Sequence, residues 1–225
     1  MPHVVEYNQN QSLSKNFTAE ILAPSIDLSV DYSEIYLDDL IENEALKEIP
    51  LVKSVVGVIK AGISINQFWF AKKLLTFIQE FNSNSIEPEK KEKFQTRVLN
   101  DCKFRKKVVE QTMVFIDRHI VVTKTKISAQ LFKAFVEEKI DFSEYTALNI
   151  SLEEMHPDSF QFLDELSLSN FEVSQDKKAD KKFDEQALLL SSGLARETSS
   201  WSHGFIVSES GKKLFELGIN PIFKK

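Results

Sequence analysis

Apolar residues recur at three- and four-residue intervals along most of this chain, and strand-like runs are confined to two short stretches near its end. After a plausible N-cap at Ser33, Ile35, Leu37, Leu40, Ile41 and Leu46 keep helical spacing while the acids face away. Pro50 sits where a first-turn proline costs nothing, and Leu51, Val55, Val58 and Ile59 mark one face of the helix it opens. Gly62 predicts a break, and beyond it Phe70, Leu74, Phe77, Ile78 and Phe81 form an amphipathic stripe. Asn82 to Ser85 reads as a turn, and Pro88 as the start of another helix. The helix from about Cys102 to Val122 carries two stripes, Phe104, Val108 and Phe115 beside Val109, Met113, Ile116 and Ile120. That pattern predicts a helix buried on much of its circumference, central in a bundle. Residues 124–138 repeat it with Ile127, Leu131, Phe132 and Phe135, Asp141 caps a helix through Leu152, and Pro157 opens a short one reaching Leu166. Residues 1–12 lack periodicity, and Leu13–Ala23 holds one short helix ended by Pro24.

The last fifty residues change character. Phe183–Ser192 reads as a helix closed by Gly193 at the position after its C-cap. LARET and FIVS read as strands joined by a turn, and Ser208 caps a final helix closed by Gly218. The expected fold is mainly α: a multi-helix bundle followed by a small winged-helix-like module. Its parts are a flexible or loosely packed N-terminal arm (1–32), the helical bundle (33–166), a linker (167–174) and the module (175–225).

Composition sharpens the picture in two places. There is a single cysteine, Cys102, which excludes an intramolecular disulfide and suits a reducing compartment, and the N-terminus shows no secretory pattern, so a cytoplasmic location is expected. The net charge of −6 is unevenly spread. Residues 1–50 carry two lysines against ten acids, residues 51–107 twelve basic residues against five acids, and residues 108–225 fourteen against nineteen. An acidic arm is therefore followed by a basic block. Either the two complement each other inside the fold, or each meets an outside partner.

The chemistry-bearing residues argue against catalysis. His3, His119, His156 and His203 have no ligand partners at metal spacing, so no metal or other cofactor is implied. No nucleophile elbow or phosphate-cradling glycine loop is present. Cys102 lies beside a basic run that would favour its thiolate, although a helix-start cysteine without a role is the commoner case. Asp117-Arg118-His119 is the densest polar cluster inside an apolar helix; it reads either as an acid–base site or, the favoured reading, as a structural ion pair in which Asp117 or Arg118 meets a neighbouring helix and fixes bundle register.

LLLSSGLARE and GFIVSESGKKLFELG together resemble the closing part of winged-helix modules, in which a helix ending in Gly-Leu leads to a wing and a Ser-Glu-x-Gly-Lys turn opens the last helix. IPLVKSVVGVIKAGISI, KKLLTFIQEFN, FIDRHI and LFKAFVEEKIDFSEY resemble a group of uncharacterised bacterial helical proteins, often carried on mobile elements, some similar ones being linked to abortive infection. These resemblances imply a non-enzymatic protein of bacterial or phage origin acting through macromolecular contacts, in phage defence or on a mobile element.

The expected partner is another protein, and no oligomeric state is implied. One alternative is a DNA-binding regulator, with Lys181, Lys182, Arg196, Trp201 and His203 as candidate contacts. Lysines and acids are in near balance over 176–185, which weakens the electrostatic case for DNA. Lys90, Lys91, Lys93, Arg97, Lys103, Arg105, Lys106 and Lys107 form a second candidate surface, on successive turns of two helices. The other alternative is a membrane-perturbing effector using residues 50–81, a stretch that its interior lysines and glycines make a poor transmembrane span.

Overall fold

The structure, a computed structural model, describes residues 2–56, 64–83, 85–173, 183–197 and 205–224. It is mainly helical, with a small antiparallel sheet near the C-terminus. The helices before the sheet are α1 (Pro2–Leu22), α2 (Leu37–Glu42), α3 (Glu44–Glu48), α4 (Pro50–Val56), α5 (Ile65–Ser83), α6 (Pro88–Asn100), α7 (Cys102–Arg118), α8 (Val122–Val136), α9 (Phe142–Glu154) and α10 (Ser159–Ser167). Then come β1 (Glu172–Val173), α11 (Phe183–Ser191), β2 (Ala195–Glu197), β3 (Phe205–Val207) and α12 (Glu209–Leu214). A π-helical turn (Phe215–Ile219) and α13 (Asn220–Phe223) complete the chain.

Two compact units emerge, one of Met1–Ala129 with Val136–Glu138, the other of Gln130–Phe135 with Lys139–Lys225. The division between the two falls within α8. Phe132 and Phe135 explain why: both rings join Phe142 and Tyr145 of α9 in one aromatic cluster, with centroids 5.5–5.9 Å apart.

In the first unit α5 is the central helix. Phe68, Leu74, Leu75, Phe77, Ile78 and Phe81 are all buried, and α1, α2, α4 and α7 pack around it. The two stripes of α7 had suggested that role for α7 instead. That helix keeps a polar face in solvent, and Ile120, the end of one expected stripe, lies beyond the helix and is exposed. The N-terminal arm is a further correction. Residues 2–22 are one helix, held by Leu13, Phe17 and Ile21 in the core, with the Phe17 ring 5.8 Å from Phe77. The helix expected from Ser33 is two short ones, because the Asn43 side chain accepts from the Ala45 and Leu46 amides and starts α3 afresh. Gly62 and its expected break lie outside the described residues.

The second unit is built on sharper local signals. Asp141 and Glu144 form a reciprocal capping box at the start of α9. The sheet has the order β1-β3-β2, with Val173 opposite Phe205 and Arg196 opposite Ile206. Gly193, at φ 72°, makes the left-handed turn that leads α11 into β2. Ser208 Oγ accepts from the Gly211 amide and caps α12. A Cβ at Gly211 would collide with the Leu194 carbonyl oxygen and Val207 Cγ1, so this glycine is what lets α12 lie against the strands. Gly218 does not close the last helix as expected. The chain passes through the π-helical turn, where the Asn220 amide donates to the Phe215 carbonyl, and continues into α13.

Candidate interaction surface

Three polar arrangements stand out in the first unit, and two of them are closed. At the end of α7, Lys73 Nζ donates to the main-chain carbonyls of Asp117 and His119, the latter at 3.2 Å. A lysine there satisfies carbonyls that the helix end leaves open and meets the negative end of its dipole. His119 is buried, with Nδ1 3.2 Å from Thr125 Oγ1 and Nε2 without a partner. Burial, with Lys73 and Lys124 beside it, pushes the imidazole down to about 3. Burial also lowers Lys73, with Asp117 opposing the shift. A neutral imidazole sealed from water serves as packing, not as an acid–base group.

The second arrangement is a cleft of about 680 Å³ between residues 25–35 and the α2–α3 region. Its Asp27 accepts from the Ser29 amide and hydroxyl, and its Asp39 accepts from the Tyr36 amide. Those carboxylates are committed to turns and caps.

The third arrangement is open. α6 and α7 pack against each other, with Phe94 and Val98 buried on α6 and Val108 and Val109 on α7, and meet at Asp101, whose side chain accepts from the Phe104 amide. That corner fixes two arginines. The Arg97 guanidinium stacks 3.8 Å from the centroid of Phe104, whose ring meets Phe94 edge-on. Arg105 Nη1 donates to the Val98 carbonyl at 3.1 Å, which leaves its charge uncompensated by any acid in that bond. Lys103 and Lys106 extend into solvent from the first turns of α7, where the helix dipole adds positive potential. Leu99, 63% exposed, gives the corner an apolar spot.

The expected basic surface thus divides. Lys90 and Lys93 both pair with Glu138, which holds a left-handed backbone (φ 59°) just past α8. Those two hydrogen bonds pull its carboxyl down to about 2. Lys91, half-buried, Arg97, Lys103, Arg105 and Lys106 have no acidic partner among the described residues, and Lys107 is exposed beside them. The described ion pairs of the acidic arm run elsewhere: Glu44 to Lys47, Glu48 to Lys53 and Asp31 to Lys126.

Of the other expected sites, Asp117 and Arg118 are both exposed, and what Asp117 brings to the buried layer is its backbone carbonyl. Arg196 is exposed on β2, whereas Lys181, Lys182, Trp201 and His203 lie outside the described residues. Cys102 is exposed at the start of α7. Among the described residues no His, Cys, Asp and Glu cluster could hold a metal ion, and no helix is long and apolar enough to cross a membrane.

Sequence reasoning missed Lys72 and Lys73, since paired lysines in a helix read as solvent-facing. Lys72 Nζ instead donates to the Ile35 carbonyl at 2.7 Å and lies 5.1 Å from the Trp69 ring and 5.9 Å from Tyr36. Burial lowers its pKa against the pull of Asp31, Asp39 and Glu34. It ties the acidic arm to α5.

A scan of protein-family models, a search of curated proteins and a search of solved structures each find no match to this chain.

Proposed function

We propose that this chain is a non-enzymatic macromolecular-interaction protein that binds an acidic protein partner through the α6–α7 corner. The observation that carries the reading is a cluster of cations held in place but not neutralised: Arg97 on Phe104, Arg105 on the end of α6, and Lys103 and Lys106 beside them. Stacked and hydrogen-bonded arginines are preorganised, so less side-chain entropy is lost when a carboxylate arrives. The corner includes exposed Leu99, which suits an amphipathic acidic surface better than a run of phosphates.

The second reading is a winged-helix DNA-binding regulator. The strand order β1-β3-β2 and the sequence of α11, ribbon and α12 support the winged-helix part of it. The described face argues against DNA as the ligand. α11 has Asp184 and Glu185 in its first turn and no Lys or Arg, so its positive end is already occupied by acids and would repel phosphate. A protein-binding winged-helix module fits that charge. A setting in phage defence or on a mobile element rests on sequence resemblance alone.

The test is affinity capture from native extract with the wild type and with Lys103→Glu/Lys106→Glu. An acidic protein retained stoichiometrically by the wild type and lost by the variant is the expected result. Equal retention by both would remove the corner from the proposal.

A further inference from the structure

The acidic arm and the basic corner lie at opposite ends of α7. Lys73, one turn along α5 from Trp69, is hydrogen-bonded to the last turn of α7, while Lys103 and Lys106 project from its first turns. Lys103 to Asp117 spans fourteen residues of α7, about 21 Å at 1.5 Å per residue. That is more than two screening lengths at physiological salt, so neither end neutralises the other within one chain.

The end near Trp69 is also amphipathic. Tyr36 is 73% exposed, Ile65 65% and Trp69 44%, and Lys72 under the two aromatic rings holds Tyr36 and Trp69 near each other. Asp38 and Glu42, four residues apart on α2, are exposed, and Glu34 and Asp39, also exposed, lie near enough to Lys72 to act on its charge. One end of the unit thus offers aromatic rings with carboxylates, the other a leucine with lysines and arginines. The apolar content of each suits the centre of an interface, and the charges suit its rim. Aromatic faces beside carboxylates also receive guanidinium and ammonium groups well.

We infer that the occupant of the basic corner is the acidic-aromatic end of a second copy of this chain, giving head-to-tail self-association. This rests on the reading of the corner as a binding surface. Because the two surfaces differ, the contact is heterologous, and each subunit added leaves one end free, so the assembly grows with concentration instead of stopping at a symmetric dimer. Lys90 and Lys93 stay out of the contact, being held by Glu138.

Sedimentation velocity over a concentration series tests this directly. The wild type should associate progressively at low salt and return to monomer near 1 M salt, where screening acts within about 3 Å. Lys103→Glu/Lys106→Glu and Asp38→Lys/Glu42→Lys should each weaken self-association at least about tenfold, from the like-charge contact they create. Mixed together, the two variants should associate again, since one keeps the acidic end and the other the basic corner. A chain monomeric at low salt, association that survives high salt, or association untouched by both variants would each overturn the inference. A low-salt monomer whose basic corner still retains an acidic protein in the capture experiment would overturn self-association and leave the corner's binding role standing. Failure of both experiments would remove the two together.

Discussion

Lowering the pH from 7 to 5 should cost the first unit about 2 kcal/mol through His119 alone. The imidazole titrates near 6.5 in an unfolded chain, whereas burial among Lys73 and Lys124 holds it at about 3 in the folded one. Between those values the unfolded state binds the proton and the folded state does not, so stability rises with pH across the window. The contribution is intact above about pH 6.5 and drains away as the pH falls toward 3. Each full pH unit inside the window is worth about 1.4 kcal/mol, and the half-unit near 6.5 counts for less, which gives about 2 kcal/mol by pH 5. The assay is denaturant unfolding at a series of pH values, followed through Trp69 fluorescence in a Trp201→Phe background so that the signal reports the first unit. His119→Gln keeps a polar group near Thr125 but cannot take the proton. Between pH 7 and pH 5 the wild type should lose about 2 kcal/mol more than that variant. Parallel curves for the two proteins would refute the reasoning, because they would mean that the charged imidazole finds water or a partner in the folded state.

Three other changes have defined outcomes. Gly211→Ala should destabilise the second unit by about 1–3 kcal/mol, since the added methyl meets the Leu194 backbone; hydrogen exchange of the β3 amides should accelerate accordingly. Lys73→Met strands the carbonyls that end α7 and should cost about 1–3 kcal/mol, with loss of protection concentrated in the last turn of that helix. Glu138→Gln releases Lys90 and Lys93 and should raise the salt needed to elute the protein from a cation exchanger. The stabilisation that Glu138 provides is present above about pH 4.5 and is lost as the pH falls toward 2, so the variant should be less sensitive to acid over that range.

What the sequence made legible was local. Asp141, Gly193 and Ser208 are read correctly because a cap or a left-handed turn is decided by the few residues around it. The N-terminal helix was hidden because its first half is polar and aperiodic, and Phe17 reveals its role only once Phe77 of a distant helix is seen against it. Lys72 and Lys73 were hidden for the opposite reason. Their neighbours on α5 gave a good amphipathic stripe, but the carbonyls of Ile35, Asp117 and His119 that bury them come from other segments. Gly211 appeared in the motif, yet its necessity comes from Leu194 and Val207, both outside the helix it belongs to. At the candidate site, sequence supplied the cations and structure sorted them. Glu138, which silences Lys90 and Lys93, lies 45 residues from Lys93 along the chain.

The most direct test of the α6–α7 corner as the working surface is site-specific photo-crosslinking in cells. A photoreactive residue at Leu99 is compared with one at Ile150, an exposed apolar position on α9 that serves as the control. A discrete adduct at Leu99, abolished by Lys103→Glu/Lys106→Glu and absent at Ile150, is the predicted result. Adducts at Ile150 equal to those at Leu99, or none at Leu99, would contradict it.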